Sequence, residues 1–411
     1  MRDGPRHRRS GGRHRAGWVA AAAALVVAAG AVTTWRLHAG PWARSASSAS
    51  VVAAGGTGSP AGASSGTSSG GRSGSGLAGA AMTVASISPA PGASAVAGTT
   101  PVSVTFSDRL AAGAPDPTLS PAVPGSWSRT GSHTLTFTPT GAFLPYSAVT
   151  VTVPGGRHGE RAVDGASLAR SVTASFTVGA GSTLRLQELL SDLDYSPLAF
   201  TPAGGPIPVS DTAAQQRAIF DPPAGTFAWR QTTWPASLTS QWQQGAFNVL
   251  TKGLVMEFQA DHLLKVNGVP SLGLWNDLLG ALAAGEANTG GYNYAVGSKV
   301  VPETLTIWHD GQQVFHSLAN TGIPARPTYD GTFPVYARYR NQIMRGTNPN
   351  GTPYADPVQY VAYFHGGNAV HYIPRAQYGF PQSLGCIELP LAAAAQAWPY
   401  LAYGTLVTVT G

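Results

Sequence analysis

The 411-residue sequence contains very little cysteine and few charged residues. Its single cysteine, Cys386, excludes an internal disulfide, so this sulfur is a reactive thiol, a partner for another molecule or an inert buried side chain. Charged residues make up 11%, whereas Gly (51) and Pro (32) are abundant, a balance that favours short strands and turns over long helices. The length allows about two to four domains.

The sequence also lacks the features of nucleic-acid and metal sites. The net charge is +6, but residues 1–16 contain six arginines and one aspartate, so five of those charges (6 − 1) lie there. The rest of the chain is nearly neutral, which excludes a basic surface that binds the phosphates of a nucleic acid. His309, His316 and His365 have no HExxH or CxxC context, so no metal site is predicted. No glycine-rich phosphate loop is present.

The N-terminal region has the pattern of an export segment. The basic residues 1–16 precede the apolar run WVAAAAALVVAAGAVTTW, and a Ser/Gly-rich tract follows. We expect a basic cytoplasmic end at 1–16, a signal anchor or a cleaved signal peptide at 17–35, and a flexible linker at 36–80. This pattern predicts an extracytoplasmic protein held near the membrane, in the cell-wall space.

Residues 81–179 alternate between apolar and small polar side chains with a period of two. The stretches PVSVTFS, HTLTFTP, AVTVTVP and VTASFTV show this alternation, and Pro and Gly separate them. The pattern predicts a β-sandwich. The region resembles the immunoglobulin-like modules that precede catalytic domains in actinobacterial cell-wall enzymes, which implies a spacer or positioning role.

Residues 180–285 have the periodicity of helices. Leu186, Leu189, Leu190 and Leu193 share one helix face, and a second apolar stripe contains Leu250, Leu254 and Phe258. After an Asn-Gly turn, Ser271 is expected to cap a third helix that carries Trp275, Leu278 and Leu279. The segment resembles a three-helix peptidoglycan-binding domain, although about 45 residues interrupt the match. A helical core without glycan affinity is the alternative, because this spacing specifies only packing.

The period returns to two in residues 296–411, which predicts a mainly-β domain. Asp310-Gly311 and Gly366-Gly367 mark hairpins, GTLVTV reads as a final strand, and LAAAAQAWPYL predicts a short helix. A turn of two residues (Gly366-Gly367), or of four if it extends through Ala369, would place His371 on the same strand face as Phe364, with His365 on the other face. A loop of three residues would reverse this facing. The chain is therefore expected to be multidomain, with a sandwich, a small helical module and this domain.

Cys386 follows the turn Ser383–Gly385, fifteen residues after His371. A free thiol has a pKa of about 8.5, so a nucleophilic cysteine needs a nearby base or cation. His371 and His365 are the nearest bases in sequence. The amides of Leu384, Gly385 and Cys386 are expected to face a developing oxyanion. The pattern predicts acyl transfer through a cysteine.

The segment HYIPRAQYGFPQSLGCIELP resembles the signature of L,D-transpeptidases with the YkuD-type catalytic domain. That signature is a His, a spacer, then Ser/Thr-His-Gly-Cys, an apolar residue, and Asn or Arg. Upstream, NTGIPARPTYDGTFPVY is similar to a second family segment, and GTLVTV fits the family's last strand. The resemblance covers residues 303–411. It implies that Cys386 is the nucleophile, that His371 is the general base, and that the backbone carbonyl of Tyr372 orients the imidazole.

Other residues follow or depart from this pattern. Ser383 and Gly385 match the turn, and Ser383 is also predicted to contact the substrate. Leu384 replaces the usual second His, and Glu388 stands where the family has Asn or Arg. Arg375 is predicted to meet a substrate carboxylate, with a solvated loop charge as the alternative. Tyr363 is predicted to line the substrate cleft, although strand aromatics are more often core residues.

The family resemblance implies a cell-wall enzyme that acts on peptidoglycan stem peptides. It would form 3→3 cross-links through a cysteine acyl-enzyme, would be acylated by carbapenem-type inhibitors, and would need no cofactor. Three alternatives remain at this point: an L,D-carboxypeptidase, a catalytically weak or inactive wall-binding scaffold, and a sortase-like or papain-like protease.

Overall fold

The computed structural model describes residues 81–113 and 115–411. The predicted basic end, export segment and linker lie outside these residues, so their expected roles stay predictions. Across the described residues, no helix combines the length and apolarity needed to cross a membrane.

The first domain is a sandwich of two antiparallel sheets, with the orders β1-β2-β5-β4 and β3-β6-β7. Val102 and Val104 of one sheet and Val149 and Val151 of the other are fully buried between them, because alternate side chains of each strand face inward. The predicted immunoglobulin-like sandwich is confirmed. Its strands are β1 (Val84–Ser88), β2 (Val102–Phe106), β3 (Thr118–Ser120), β4 (Gly125–Arg129), β5 (Thr134–Pro139), β6 (Ala148–Val153) and β7 (Val172–Thr177).

The second region contains helices and one hairpin. The leucines chosen by spacing are buried on the first and fourth helices, and the Ser271 hydroxyl accepts a 3.2 Å hydrogen bond from the amide of Leu274, as a cap should. The hairpin falls inside the stretch that interrupts the helical pattern. The elements are α1 (Thr183–Asp192), β8 (Leu198–Pro202), α2 (Thr212–Ala218), β9 (Gly225–Trp229), α3 (Ala236–Thr239), α4 (Val249–Asp261) and α5 (Leu272–Ala284).

The C-terminal domain contains two sheets, with the orders β12-β11-β10-β18-β13 and β14-β15-β16-β17. The strands β14 and β15 of the second sheet form a long hairpin. The elements are β10 (Asn293–Ser298), β11 (Thr304–His309), β12 (Gln312–Leu318), β13 (Gly331–Pro334), β14 (Ala337–Thr347), β15 (Pro353–His365), β16 (Asn368–Tyr372), β17 (Ile387–Leu389), α6 (Leu391–Ala397) and β18 (Leu406–Thr410).

The helical region shares its core with the five-stranded sheet. Tyr294 and Leu406 pack among the helices, whereas their strand neighbours Ala295 and Val407 pack against the second sheet. Alternate residues of β10 and β18 therefore serve two cores. The sequence predicted a small helical module beside the mainly-β domain. The shared core joins the two, which leucine spacing alone does not indicate.

Candidate active site

Strands β16 and β17 position the candidate catalytic side chains. They run parallel, with His371 opposite Glu388 and Val370 opposite Ile387. Val370 and Ile387 are buried in the core between the sheets. Because strand faces alternate, His371 and Glu388 project from the opposite face, and Cys386, two residues before Glu388, lies on that face too.

The β15–β16 hairpin has the reversed facing, not the one predicted for a two-residue turn. The turn does contain Gly366 and Gly367, with His365 paired to Asn368, but the register then shifts so that Tyr363 pairs with Ala369. The extra residue is a β-bulge, and it moves every later side chain to the opposite face of the sheet. Phe364 therefore faces the core, while Tyr363 lies with Ala369 and Cys386 in a small apolar cluster on the site face.

Cys386 and His371 line one cavity of about 190 Å³. The β14–β15 hairpin forms one wall of it, and the turn before β17 forms another. The remaining lining residues include four from the hairpin and four near the turn: Met344, Tyr354, Asp356, Val358, Arg375, Gln382, Leu384 and Glu388. The fold thus brings the predicted nucleophile and base to a shared cleft.

His371 is held in one tautomer. Its Nδ1 lies 3.1 Å from the carbonyl oxygen of Tyr372, and because a carbonyl only accepts, Nδ1 must carry the proton of the neutral ring. Nε2 is then the basic atom. The side chain is 3% exposed, and burial lowers its pKa below the ordinary 6.5, although the Tyr372 carbonyl and Glu388 oppose this shift. The imidazole is therefore neutral and able to accept a proton at pH 7.

The thiol of Cys386 is neutral at rest. Burial raises its pKa to about 12, Glu388 adds to this shift, and a backbone hydrogen bond at Ala369 opposes it. The residue is half-buried, so the sulfur is shielded from bulk water while remaining part of the cavity wall. Sγ lies 3.9 Å from the carbonyl oxygen of Gly367, a weak contact. A neutral thiol and a neutral imidazole in the same cavity require proton transfer during attack.

Ser383 holds the turn before Cys386. It is buried and outside the cavity lining, so it does not reach the substrate position predicted for it. Its buried hydroxyl donates a 2.6 Å hydrogen bond to the carbonyl of Cys386 and accepts a 3.1 Å bond from the amide of Gly385. The expected oxyanion role of Gly385 therefore needs correction, because its amide already has an acceptor. Over residues 81–113 and 115–411, the amides of Leu384 and Cys386 have no hydrogen-bond partner and stay the candidate donors. Gly385 has φ +112°, a backbone conformation that favours glycine.

Comparison with known families identifies the domain that contains this site. Residues 299–409 match the family described as the YkuD L,D-transpeptidase catalytic domain, and residues 78–178 match the bacterial Ig-like domain. The chain carries a YkuD-type L,D-transpeptidase domain. Comparison with curated proteins gives no match.

Three of the similar solved structures are L,D-transpeptidases. The Mycobacterium smegmatis enzyme is 16% identical, with 81% of this chain and 100% of that chain covered and a TM-score of 0.27. L,D-transpeptidase 3 from Mycobacterium tuberculosis, solved with a faropenem-derived adduct, is 16% identical, with coverages of 80% and 98% and a TM-score of 0.27. The E. faecium catalytic domain is 26% identical, with coverages of 29% and 96% and a TM-score of 0.27. The assignment of the domain is based on the family match.

Arg375 of the transpeptidase domain is already engaged by a carboxylate. Its Nε and Nη2 donate hydrogen bonds of 2.8 and 2.6 Å to the two carboxylate oxygens of Glu388, and Asn320 donates a third at 3.3 Å. The guanidinium is 32% exposed, whereas the Glu388 side chain is 4% exposed. Glu388, which departs from the family pattern, and Arg375 thus form a bidentate ion pair inside the domain. A substrate carboxylate predicted to meet Arg375 would compete with Glu388.

The remaining predicted residues occupy different places. Tyr363 contacts the apolar cluster that includes Cys386, and Leu384 lines the cavity where the family has a second His. The three histidines considered for metal binding lie apart: His309 contacts Asn293, His316 contacts Thr306, and His365 stacks near Phe333.

Sequence reasoning missed the hairpin wall of the site. Met344, Tyr354 and Asp356 lie on β14 and β15, which pair in a continuous register from Ala337–Tyr363 to Thr347–Pro353. The signal was present, because NPNG at 348–351 is a turn sequence between two extended stretches.

Proposed function

We propose that this protein is a cell-wall L,D-transpeptidase that forms 3→3 peptidoglycan cross-links through an acyl-enzyme on Cys386. One observation carries the proposal. The only cysteine of the chain and a histidine whose proton is held on Nδ1 line the same cavity, inside a domain of the L,D-transpeptidase family. The family supplies the substrate class, a peptidoglycan stem tetrapeptide.

The first half-reaction acylates the enzyme. Sγ attacks the carbonyl carbon of the third residue while the thiol proton moves to Nε2 of His371. Negative charge develops on the carbonyl oxygen, near the amides of Leu384 and Cys386. As the intermediate collapses, the C–N bond to the terminal D-alanine breaks, and His371 returns its proton to the departing amine. A thioester remains on Cys386.

The second half-reaction transfers the acyl group. The side-chain amine of a neighbouring stem attacks the thioester carbonyl and passes a proton to His371. The C–S bond then breaks, the thiolate regains that proton, and a new amide joins the two third residues. Water in place of the amine would give the L,D-carboxypeptidase outcome.

The scaffold alternative depends on one departure from the family pattern, Leu384 in place of histidine. The tautomer of His371 favours activity, because it leaves Nε2 free to act as a base in the cavity that also contains the thiol. We further propose that the domains act outside the cytoplasmic membrane, since basic and apolar residues precede the linker in the sequence.

Incubation of the full chain with a carbapenem tests the nucleophile. Intact-mass spectrometry should show one covalent adduct on the wild type and none on Cys386→Ala. His371→Gln should slow adduct formation by roughly 100-fold or more, the usual effect of losing a general base. His316→Gln on β12 is the matched control and should react like the wild type. Adducts on Cys386→Ala would refute the assignment of the nucleophile.

A stem tetrapeptide separates transfer from hydrolysis. The wild type should release D-alanine and produce a dimer heavier than the hydrolysed tripeptide. Release of D-alanine without the dimer would assign the carboxypeptidase reaction. No release and no carbapenem adduct from a folded protein would favour the scaffold.

A further inference from the structure

Asp356 is a carboxylate in the wall of the active-site cavity that the mechanism does not use. It lies on β15 opposite Met344 of β14, and it lines the same cavity as Cys386 and His371. The residue is half-buried, so its carboxylate is accessible from the cavity without being fully surrounded by water.

Asp356 has no partner of its own within the residues that the structure describes. Neither a hydrogen bond nor an ion pair to its carboxylate is present there. The single guanidinium of the cavity belongs to Arg375, which binds Glu388 through both Nε and Nη2. Asp356 is nonetheless close enough for its charge to act on the site, since it contributes to raising the pKa of Arg375, after the larger effect of the Glu388 hydrogen bonds.

The formal charges of the cavity do not balance. His371 is neutral because burial lowers its pKa, and Cys386 is neutral because burial raises its pKa to about 12. The charged lining residues are then Asp356, Glu388 and Arg375. Two carboxylates against one guanidinium leave one net negative charge. Arg326 lies near Tyr354 but is not part of the lining.

We propose that Asp356 is a specificity-determining residue that binds a primary ammonium group on the side chain of the donor peptide's third residue. This inference is based on the proposed function, because it names a feature of the substrate for the same site. The third residue carries the carbonyl that Cys386 attacks, and its side chain branches from the carbon next to that carbonyl, so it is held close to the cavity wall that contains Asp356. A half-buried, unpaired carboxylate favours a cation there and repels a carboxylate.

Binding to an inactive variant tests the proposal without turnover. In the Cys386→Ala background, calorimetry would compare a tetrapeptide that has lysine as its third residue with the same peptide acetylated on the lysine nitrogen. Acetylation removes the charge and keeps the chain length. We expect the ammonium peptide to bind about tenfold more tightly, the lower range for a charge-assisted hydrogen bond at a half-buried site.

Variants at position 356 locate the effect. Asp356→Asn should abolish the preference for the ammonium peptide, and Asp356→Glu should retain most of it. Asp330→Asn, which removes a surface carboxylate paired with Lys299 outside the cavity, should leave the preference unchanged.

Equal affinities for the two peptides, no binding of either, or a preference that survives Asp356→Asn would overturn the proposal. Failure of the proposed function is a separate result. A protein that prefers the ammonium peptide but forms no carbapenem adduct would keep the ammonium site and lose the transpeptidase mechanism.

Discussion

Two buried glutamates, one in each β-rich domain, have opposite surroundings. Glu388 of the transpeptidase domain is 3% exposed and accepts hydrogen bonds from Arg375 and Asn320. Glu160 of the Ig-like domain is fully buried, and neither of its oxygens has a hydrogen-bond partner in the described part of the chain. Burial raises the pKa of Glu160 to about 7, with a further contribution from Asp116, while Arg129 opposes the shift.

The difference shows that partners, rather than burial, decide what an internal carboxylate does to the fold. A buried charge without a partner destabilises the folded state until it takes up a proton. A buried carboxylate that binds a guanidinium through both oxygens stays charged in the folded state, and removing one partner strongly destabilises the fold. In this chain the paired carboxylate lies opposite the candidate base, whereas the unpaired one lies in a domain with an expected positioning role.

Arg375→Met should give the largest effect, because it would leave Glu388 buried without its cation. We expect the transpeptidase domain to lose roughly 2 to 4 kcal/mol of unfolding free energy, below the full range for buried pairs since Arg375 is partly exposed. Urea unfolding of the full chain, with hydrogen exchange in β16 and β17 to locate the change, would measure it. Arg345→Met, at an exposed position of β14, is the control.

Glu388→Gln in the Arg375→Met background should recover part of that loss, because it removes the stranded charge. Equal stability of Arg375→Met and Arg345→Met would show that the ion pair contributes nothing.

Glu160→Gln should have the opposite sign and a somewhat smaller size. The pKa of Glu160 rises from 4.5 to about 7 on folding, so its contribution is favourable below pH 4.5 and is lost as the pH rises towards 7. At pH 8 the neutral amide should stabilise the Ig-like domain by roughly 2 kcal/mol, less than the shift alone implies because glutamine is also buried without partners. At pH 4 the two proteins should be alike.

Unfolding of both proteins at pH 4 and pH 8, located by hydrogen exchange in β5 and β6, would test this prediction. Destabilisation at pH 8 would mean that a cation or water pairs with Glu160 in solution.

The sequence predicted those features that depend on local pattern. Alternation of apolar and polar residues was enough for the sandwich, and leucine spacing for α1 and α4. The sole cysteine and its family motif pointed to Cys386 and His371, which the fold brings to one cavity. Each of these inferences uses residues close together in the chain.

What escaped prediction depends on contacts between distant segments. A one-residue register shift in the β15–β16 hairpin reversed the predicted facing of His371 and Phe364, and no turn rule reveals such a bulge. The pairing of Arg375 with Glu388 needs the parallel alignment of β16 and β17. The shared core of helices and sheet needs Tyr294 and Leu406 to lie side by side.

Ser383→Ala tests the turn that positions Cys386. The change removes one hydrogen bond to the Cys386 carbonyl and one from the Gly385 amide, so the domain should lose about 1 to 2 kcal/mol. Carbapenem adducts should also form more slowly, because the sulfur and the amides near it become less ordered. Ser317→Ala on β12, whose hydroxyl bonds only its neighbouring carbonyl, is the control. Unchanged adduct rates with lowered stability would assign Ser383 a purely structural role.

The smallest expected effect is on the pH dependence of acylation. It also distinguishes the two glutamates most clearly, because only one of them acts on His371. The lowered pKa of His371 places the acid limb of the rate below pH 6.5, so titration of His371 should change the rate less than about twofold between pH 7 and 8.

Glu388 raises the pKa of His371, and Arg375 lowers it. Glu388→Gln removes the negative charge and leaves the guanidinium unneutralised, so both effects should move the acid limb to lower pH. Glu160→Gln, in the other domain, should leave the limb where it is. Carbapenem adduct rates between pH 5 and 8 would measure both, and a limb that moves equally in the two variants would mean that Glu388 acts on stability and not on the base.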